Sequence, residues 1–386
     1  MADETRAIAL VRGTIYVDPW NEPIRDGALV IAGERIAAVG ARNRVHIPND
    51  ARVLDCTGLS LMAGFWNSHV HFTQRKWSDA ARIPAATLAL QLQDFTRYGF
   101  TSVFDLSSAL ENTKEIRRRI DSAEVDGPHI LSTGEGIVPE GAAPSDNVSA
   151  AMGWMSVSLP EVGNPEQAAA AARRLLDRYP DAVKLFASGA PSATPRALTQ
   201  ESMQAVVELA HAAHKPVFVH PNNADDVRRA VNARVDVIAH TVPSADAWQD
   251  AFTTASQVGI TLTPTLMLWK HALRPAAVEQ LAFFRAAGGT VIFGTDYGAV
   301  AADPTDEYAL MAEAGMTFSD TLASLTTAPS RRFDRSQSNG TLSVGAQADI
   351  VALEGGPSRD PRTFADVCLT IRAGRTVYRR GIPPTT

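Results

Sequence analysis

Leu61-Met62-Ala63-Gly64-Phe65-Trp66-Asn67-Ser68-His69-Val70-His71 is an apolar run that closes in two histidines. In an extended strand, residues two apart point to the same side, so His69 and His71 face one place while Val70 faces the other. Two neutral imidazoles on one rigid strand make half of a divalent-metal site. A strand of this kind near the start of a long chain suggests a metal at the mouth of a barrel. A short His-x-His is common, so its meaning depends on the partners the rest of the chain supplies.

Outward from this run, the pattern to the C-terminal side is strand followed by helix, repeated. Further strands are expected at 102–106, 129–133, 183–187, 217–220, 235–240, 261–265 and 291–295. Helical patterns fall between most of them, at 111–125, 200–214, 225–231 and 277–287. Eight strands alternating with helices predict an α/β fold, a closed (β/α)8 TIM barrel. An open doubly wound sheet is the alternative, but no Gly-rich phosphate turn follows an early strand. The stretch 134–159 is long and carries Gly, Pro, Ser and Asn, the composition of a functional lid or a disordered loop.

To the N-terminal side lie short β-branched runs separated by Gly13, Gly27, Gly33 and Gly40, the punctuation of a small antiparallel sheet. The stretches 348–353, 367–373 and 375–378 resemble them. The reading is a small β-sandwich domain built from both termini, 1–62 and 336–386, around a barrel over 63–335.

The whole chain of 386 residues suits a barrel with an appendage, and its 45% hydrophobic content suits a large core. A net charge of -6 argues against a broad nucleic-acid surface. Cys56 and Cys368 stand far apart in no ligand spacing and read as buried thiols in a reducing compartment. The polar start is unlike a secretory signal, and no apolar run approaches the roughly 18 residues of a membrane span. A cytoplasmic protein is expected, with a small-molecule substrate and no nucleic-acid or membrane partner; a homo-oligomer is left open.

Barrel active sites sit at the C-terminal ends of the strands. Polar ligand-type residues at those positions are His69 and His71 on the first strand, Lys184 in the fourth, His220 ending the fifth, His240 ending the sixth and Asp296 ending the eighth. Each has a bland reading: a hydrogen-bonded histidine, a helix-capping aspartate, a snorkelling lysine. Jointly they are harder to dismiss, because four of nine histidines would have to reach strand ends by accident. His211, His214, His46 and His129 fit structural or solvated roles, as does His271, which is also placed to reach the barrel mouth. Asn222 lies two beyond His220 and Ser188 four beyond Lys184, so both are expected on the same face as substrate contacts.

These strand ends carry a family resemblance. Gly64-Phe65-Trp66-Asn67-Ser68-His69-Val70-His71, Gly294-Thr295-Asp296, Thr326-Thr327-Ala328-Pro329-Ser330-Arg331 and the return Gly340-Thr341-Leu342-Ser343-Val344-Gly345-Ala346-Gln347-Ala348-Asp349-Ile350-Val351 together resemble the amidohydrolase superfamily over nearly the whole chain. Lys184-Leu185-Phe186-Ala187-Ser188-Gly189 and Val237-Ile238-Ala239-His240 are similar to its Xaa-Pro dipeptidase and carboxypeptidase-like group. The resemblance implies two divalent metal ions. His69, His71 and Asp296 hold one, His220 and His240 the other, and Lys184, carboxylated by carbon dioxide, bridges them. Zinc suits this ligand set best, with manganese or cobalt as alternatives. It further implies hydrolysis of an amide-type C–N bond (peptide, N-acyl amino acid, aryl amide or urea-like) by metal-bridged hydroxide, with Asp296 shuttling the proton. The second enzyme reading is a mononuclear deaminase or an imidazolonepropionase-like cyclic amide hydrolase with Lys184 unmodified. Three features depart from the family pattern: Ala63 where Pro is frequent, Asn67 where Asp is frequent, and 131–136 where a Gly-Gly-His often follows the third strand. The last puts a dipeptide substrate in doubt.

Overall fold

The computed structural model describes residues 6–144, 146–189, 196–242, 247–269, 271–334 and 339–380, without the side chains of 146–148 and 271. Strands from the two ends of the chain share one eight-stranded sheet. Its order is Arg375–Arg379, Val367–Arg372, Ile350–Leu353, Ser60–Ala63, Ile8–Ile15, Ile24–Ala32 and Arg35–Ala41, with Arg52–Asp55 also pairing to Ile8–Ile15. The sheet is mixed rather than antiparallel throughout. Ile8–Ile15 runs parallel to both Arg52–Asp55 and Ser60–Ala63, because the chain crosses to the far side of its own first strand after the Ile24–Ala32/Arg35–Ala41 hairpin.

Alternation along these strands sorts two faces. Leu10, Leu29, Ile31, Leu54, Leu61, Ile350, Leu369 and Ile371 pack on one side together with Cys56 and Cys368. Ala9, Val11, Ala28 and Val30 point the other way, under Val45 and Ile47. Both thiols are free and buried, and burial foremost pushes them up, Cys56 to about 12 and Cys368 to about 11. They serve as small apolar side chains.

The central part of the chain forms two parallel sheets. One joins Phe65–Val70, Phe100–Asp105 and His129–Ser132; the other joins Val183–Phe186, Val217–His220, Val237–Ala239 and Thr261–Thr263. Helices alternate with these strands and bury one stripe each. In Gln200–Ala212 the stripe is Met203, Val206, Val207 and Ala210, at i, i+3, i+4 and i+7, and Thr199 caps the helix by accepting from the Ser202 N–H. The expected helices at 111–125, 225–231 and 277–287 correspond to Leu110–Asp121, Ala224–Asn232 and Arg274–Ala286.

The expected eighth strand, 291–295, does not form a ladder. It makes single bonds instead: the Ile292 N–H donates to Leu262 O at 3.0 Å and the Ser68 N–H to Phe293 O at 2.7 Å. Isolated parallel bridges also join Leu262 to Val291, Val70 to Tyr297 and Ile137 to Leu185. A side chain stands where the ladder would continue. Asn67 Oδ1 accepts from the Thr295 N–H at 3.1 Å while its Nδ2 donates to Thr295 Oγ1 at 2.8 Å.

The described residues after the third strand include the short parallel pair Val138–Pro139 and Glu161–Val162 and the helix Asp146–Ala151. They rest on the loop after the first strand, through the Met155 N–H to Thr73 O at 2.6 Å and the Arg75 N–H to Gly153 O at 3.0 Å. Among the described residues no helix is long and apolar enough to cross a membrane.

Candidate metal centre

His69, His71 and Asp296 come together first. His71 Nε2 lies 2.8 Å and His69 Nε2 3.2 Å from Asp296 Oδ1, and the two ring nitrogens are 3.2 Å apart. Ligand atoms of these three residues all lie within 4.8 Å of one another, the compactness a single cation requires. Two glycines permit this approach. A Cβ on Gly294 would stand 2.8 Å from His69 Cβ, and one on Gly298, whose φ is 113°, would stand 2.7 Å from His71 Cβ. Asp296 itself is held at φ 61°, in the left-handed region, which is backbone strain of the kind that collects at functional sites.

The other sequence-predicted residues line the same cavity, of about 370 Å³: Lys184, His220, His240, Asn222 and Ser188. The His69 and His240 rings are 4.5 Å apart and the His220 and His240 rings 4.6 Å. His240, at φ 87°, places Nδ1 against Thr265 Oγ1, while the Thr265 hydroxyl donates to Pro264 O at 2.8 Å. The hydroxyl proton being so used, Thr265 accepts from His240 Nδ1–H, and Nε2 keeps the lone pair.

Lys184 is 0% exposed, and its Nζ has no hydrogen-bond partner among the described residues; His69 Nδ1 is likewise without one. Burial foremost pulls the lysine down to about 7, against the attraction of Asp296. Burial and the lysine charge bring His220 down to about 4 and hold His69 well below the usual imidazole range. For His240 burial acts first, then the charges of His220 and Lys184. At neutral pH these three histidines are therefore uncharged and able to offer lone pairs. Imidazoles, a carboxylate and a buried unpartnered amine form a donor set that fits divalent cations once the amine is converted to an anion.

Around these groups the cavity wall is largely apolar, with Val138, Trp154, Met155, Leu159, Phe186 and Leu268 on it. Trp154 comes from the long excursion, and its Nε1–H donates to Gly298 O at 2.9 Å, two residues beyond Asp296. Asn222 and Ser188 bond chiefly to each other and to their neighbours: Asn222 Nδ2 donates to Ser188 O, Ser188 Oγ and Gly189 O, each at 3.1 Å. Glu135 is held by Arg178 at 2.8 Å. The His271 side chain lies outside the described residues.

Supporting groups emerge that the sequence did not single out. Asp105 is buried and accepts from the Phe72 N–H at 3.1 Å, directly after His71, and from the hydroxyls of Ser108 at 2.5 Å, Ser132 at 2.8 Å and Thr113 at 2.9 Å. Burial raises it above the usual carboxylate range. Tyr297, next to Asp296, donates to Asp94 at 2.7 Å and accepts from Lys76 at 2.6 Å. The signal available for Asp105 was an acid ending an apolar strand, the same criterion that singled out Asp296.

The sequence profile described as the Amidohydrolase family matches residues 60–377. Ochratoxinase of Aspergillus niger is 23% identical over 436 aligned positions, covering 99% of this chain and 89% of that protein. A crystal structure of a Xaa-Pro dipeptidase with methionine bound in its active site superposes with a TM-score of 0.80 at 22% identity, covering 96% of this chain and 99% of that one. Phenylurea hydrolase B superposes with a TM-score of 0.76 at 20% identity, covering 98% of each chain. The structural likenesses speak to the fold, and the profile match spans most of the chain: it is a hydrolase that belongs to the amidohydrolase family.

Proposed function

We propose that this chain hydrolyses an amide-type C–N bond with two divalent metal ions, most simply zinc. His69, His71 and Asp296 would hold one, His220 and His240 the other, and Lys184, carboxylated by carbon dioxide, would bridge them. The observation that carries the reading is the buried Lys184 amine, unpartnered among the described residues and set in one cavity with four histidines and Asp296. An ammonium there would repel cations. Its neutral amine adds to the carbon of carbon dioxide, forming one N–C bond and releasing one proton, and becomes an anion. The fold that goes with this reading is a closed (β/α)8 barrel over 63–335 beside a composite domain from 1–62 and 336–386. The parallel bridges of Val291 and Tyr297 to the flanking strands support closure.

When bound, the two cations would supply a water acidic enough to ionise near neutral pH and would polarise the substrate carbonyl. Asp296, whose Oδ1 lies 2.8 Å from His71 Nε2, would take that proton and return it to the leaving nitrogen. Val138, Trp154, Met155, Leu159, Phe186 and Leu268 exclude water and receive an apolar substituent on the amide. Phenylurea hydrolase B, named for a substrate bearing a phenyl group, fits such a wall.

Metal analysis joined to a panel of dipeptides, N-acyl amino acids, aryl amides and phenylureas tests the proposal. Two metals per chain, a carboxylated Lys184 in a crystal structure of the metal-loaded protein and turnover of a panel member with an apolar substituent are expected. One metal or none with an unmodified Lys184 would defeat it. That result favours the mononuclear deaminase or imidazolonepropionase-like reading, for which the compactness of His69, His71 and Asp296 alone is the supporting observation.

A further inference from the structure

Beyond the third strand, at the point where 131–136 departs from the family pattern, the chain makes room for a neighbour. Glu135 turns aside, accepting from Arg178 at 2.8 Å and from the Leu110 N–H at 3.2 Å. Gly136 follows with no side chain. A Cβ there would stand 2.6 Å from Phe186 Cε2 and 2.7 Å from Ser107 Oγ, closer than such atoms pack. The φ of Gly136 is not in the left-handed region, so close approach rather than backbone conformation calls for glycine. What approaches is an aromatic ring.

Phe186 is pinned by backbone on both sides. Its N–H donates to Ile137 O at 2.9 Å, and it pairs in parallel with His220 on the next strand. Lying two residues beyond Lys184, it shares the lysine's face of the strand. Its ring centroid is 5.4 Å from Lys184 Nζ and 5.3 Å from that of the His220 ring, and the side chain is only partly buried on the cavity wall. A ring set this close to the centre meets whatever the scissile amide carries on its own carbon or nitrogen. Two aromatic rings with centroids about 4.5–7 Å apart attract beyond the apolar area they bury, and a saturated ring lacks that term.

We infer that Phe186, seated against Gly136, is the specificity-determining residue of this site: a platform that selects amides with an aromatic ring directly on the amide carbon or nitrogen. Benzamides, anilides and phenylureas form that class. The inference rests on the proposed amide hydrolysis and narrows it. The α-carbons that flank a peptide bond have no flat face to lay on the Phe186 ring.

The test pairs benzamide with cyclohexanecarboxamide, and acetanilide with N-cyclohexylacetamide. Each pair shares its amide and its ring size. Dissociation constants are measured by ligand-observed NMR on metal-free and zinc-loaded protein, with kcat/KM for any member that turns over. A merely apolar wall favours the saturated ring, which carries more apolar hydrogen-bearing surface. Wild-type protein should instead bind the aromatic member about 2- to 10-fold more tightly. Phe186→Leu keeps an apolar side chain and should erase that preference. Gly136→Ala keeps the ring but drives it off its seat, should reduce the preference, and carries the test if Phe186→Leu does not fold. Differences in intrinsic reactivity within a pair cancel when variant is compared with wild type. No aromatic preference in the wild type, or the same preference in the folded variants, would overturn the inference and leave amide hydrolysis standing. A preference that the variants lose, in a protein that hydrolyses no amide of the panel, upholds the platform and sinks the proposed reaction instead.

Discussion

Lys184 is out of place by every ordinary rule of burial: a fully buried amine with no hydrogen-bond partner among the described residues. An isolated ammonium in such surroundings costs several kcal/mol, so the position is held at a price in stability; on the proposed reading the anionic, bridging form recovers it. Phe186, whose ring lies 5.4 Å from Nζ, offers the cation modest compensation at best. Lys184→Ala should therefore separate fold from function. The variant should lose a buried charge problem and keep a folded chain, yet on the proposed reading it loses the bridge between two cations. Metal content should fall from two per chain to one or none, and kcat/KM by at least ~100-fold. Atomic absorption on the purified variant beside the wild type, with initial rates on the best panel substrate, measures both. Full activity in Lys184→Ala would rule out the bridging role.

At the scale of elements, the strand ends were legible and their supports were not. Val217-Phe218-Val219-His220 and Val237-Ile238-Ala239-His240 announce themselves because an uninterrupted apolar run ending in a ligand-type residue has few other uses. The 291–295 strand was legible as a place but not as a ladder, because the Asn67 amide that takes over its hydrogen bonding lies 228 residues away in sequence. Asp226 reads in sequence as one of two acids, with Asp225, in a helix first turn after the capping Asn223, where a favourable dipole interaction explains it fully. Only the fold turns its carboxylate toward Ser188. The excursion after the third strand, unreadable from its Gly, Pro and Ser content, proves to be a wall of the cavity held by Trp154. Trp154→Phe keeps the ring and removes the bond from Nε1 to Gly298 O, worth about 0.5–1.5 kcal/mol. Loss of that tie should loosen the excursion without touching the ligands. KM should rise several-fold while metal content stays unchanged, and cleavage by a nonspecific protease within 138–162 should quicken. An unaltered KM and digestion pattern would show that the wall stands without this bond.

At the scale of the whole molecule, the buried acids tilt stability against alkaline pH, and Glu307 offers the largest resolved handle. It is fully buried on helix Thr305–Glu313, and its two oxygens accept the Leu266 and Met267 N–H groups at 2.8 Å each. These amides follow Thr265, the residue that orients His240, so one carboxylate ties the helix to the segment behind the sixth and seventh strand ends. Burial foremost pushes Glu307 from 4.5 up to about 8, against the pull of the two amide bonds. Between those values the folded chain retains a proton that the unfolded chain has released. The stabilisation from the protonated form is complete below about 4.5 and is lost as pH rises through about 8. Where the difference amounts to one whole proton, unfolding free energy falls by about 1.4 kcal/mol per pH unit. Asp349, raised to about 6 by burial, and the raised Asp105 act in the same direction, so the wild-type slope alone does not isolate Glu307. The difference between wild type and Glu307→Gln does, since the other acids and any bound metal are common to both. Urea unfolding at intervals from about pH 5 to about 8 should show the wild-type midpoint falling more steeply than that of the variant, at similar m. The variant is less stable at low pH, where its amide nitrogen opposes a backbone N–H that the native side chain accepts, and it closes the gap as pH rises. Parallel slopes would mean that Glu307 is ionised throughout this range, with its two amide bonds outweighing burial.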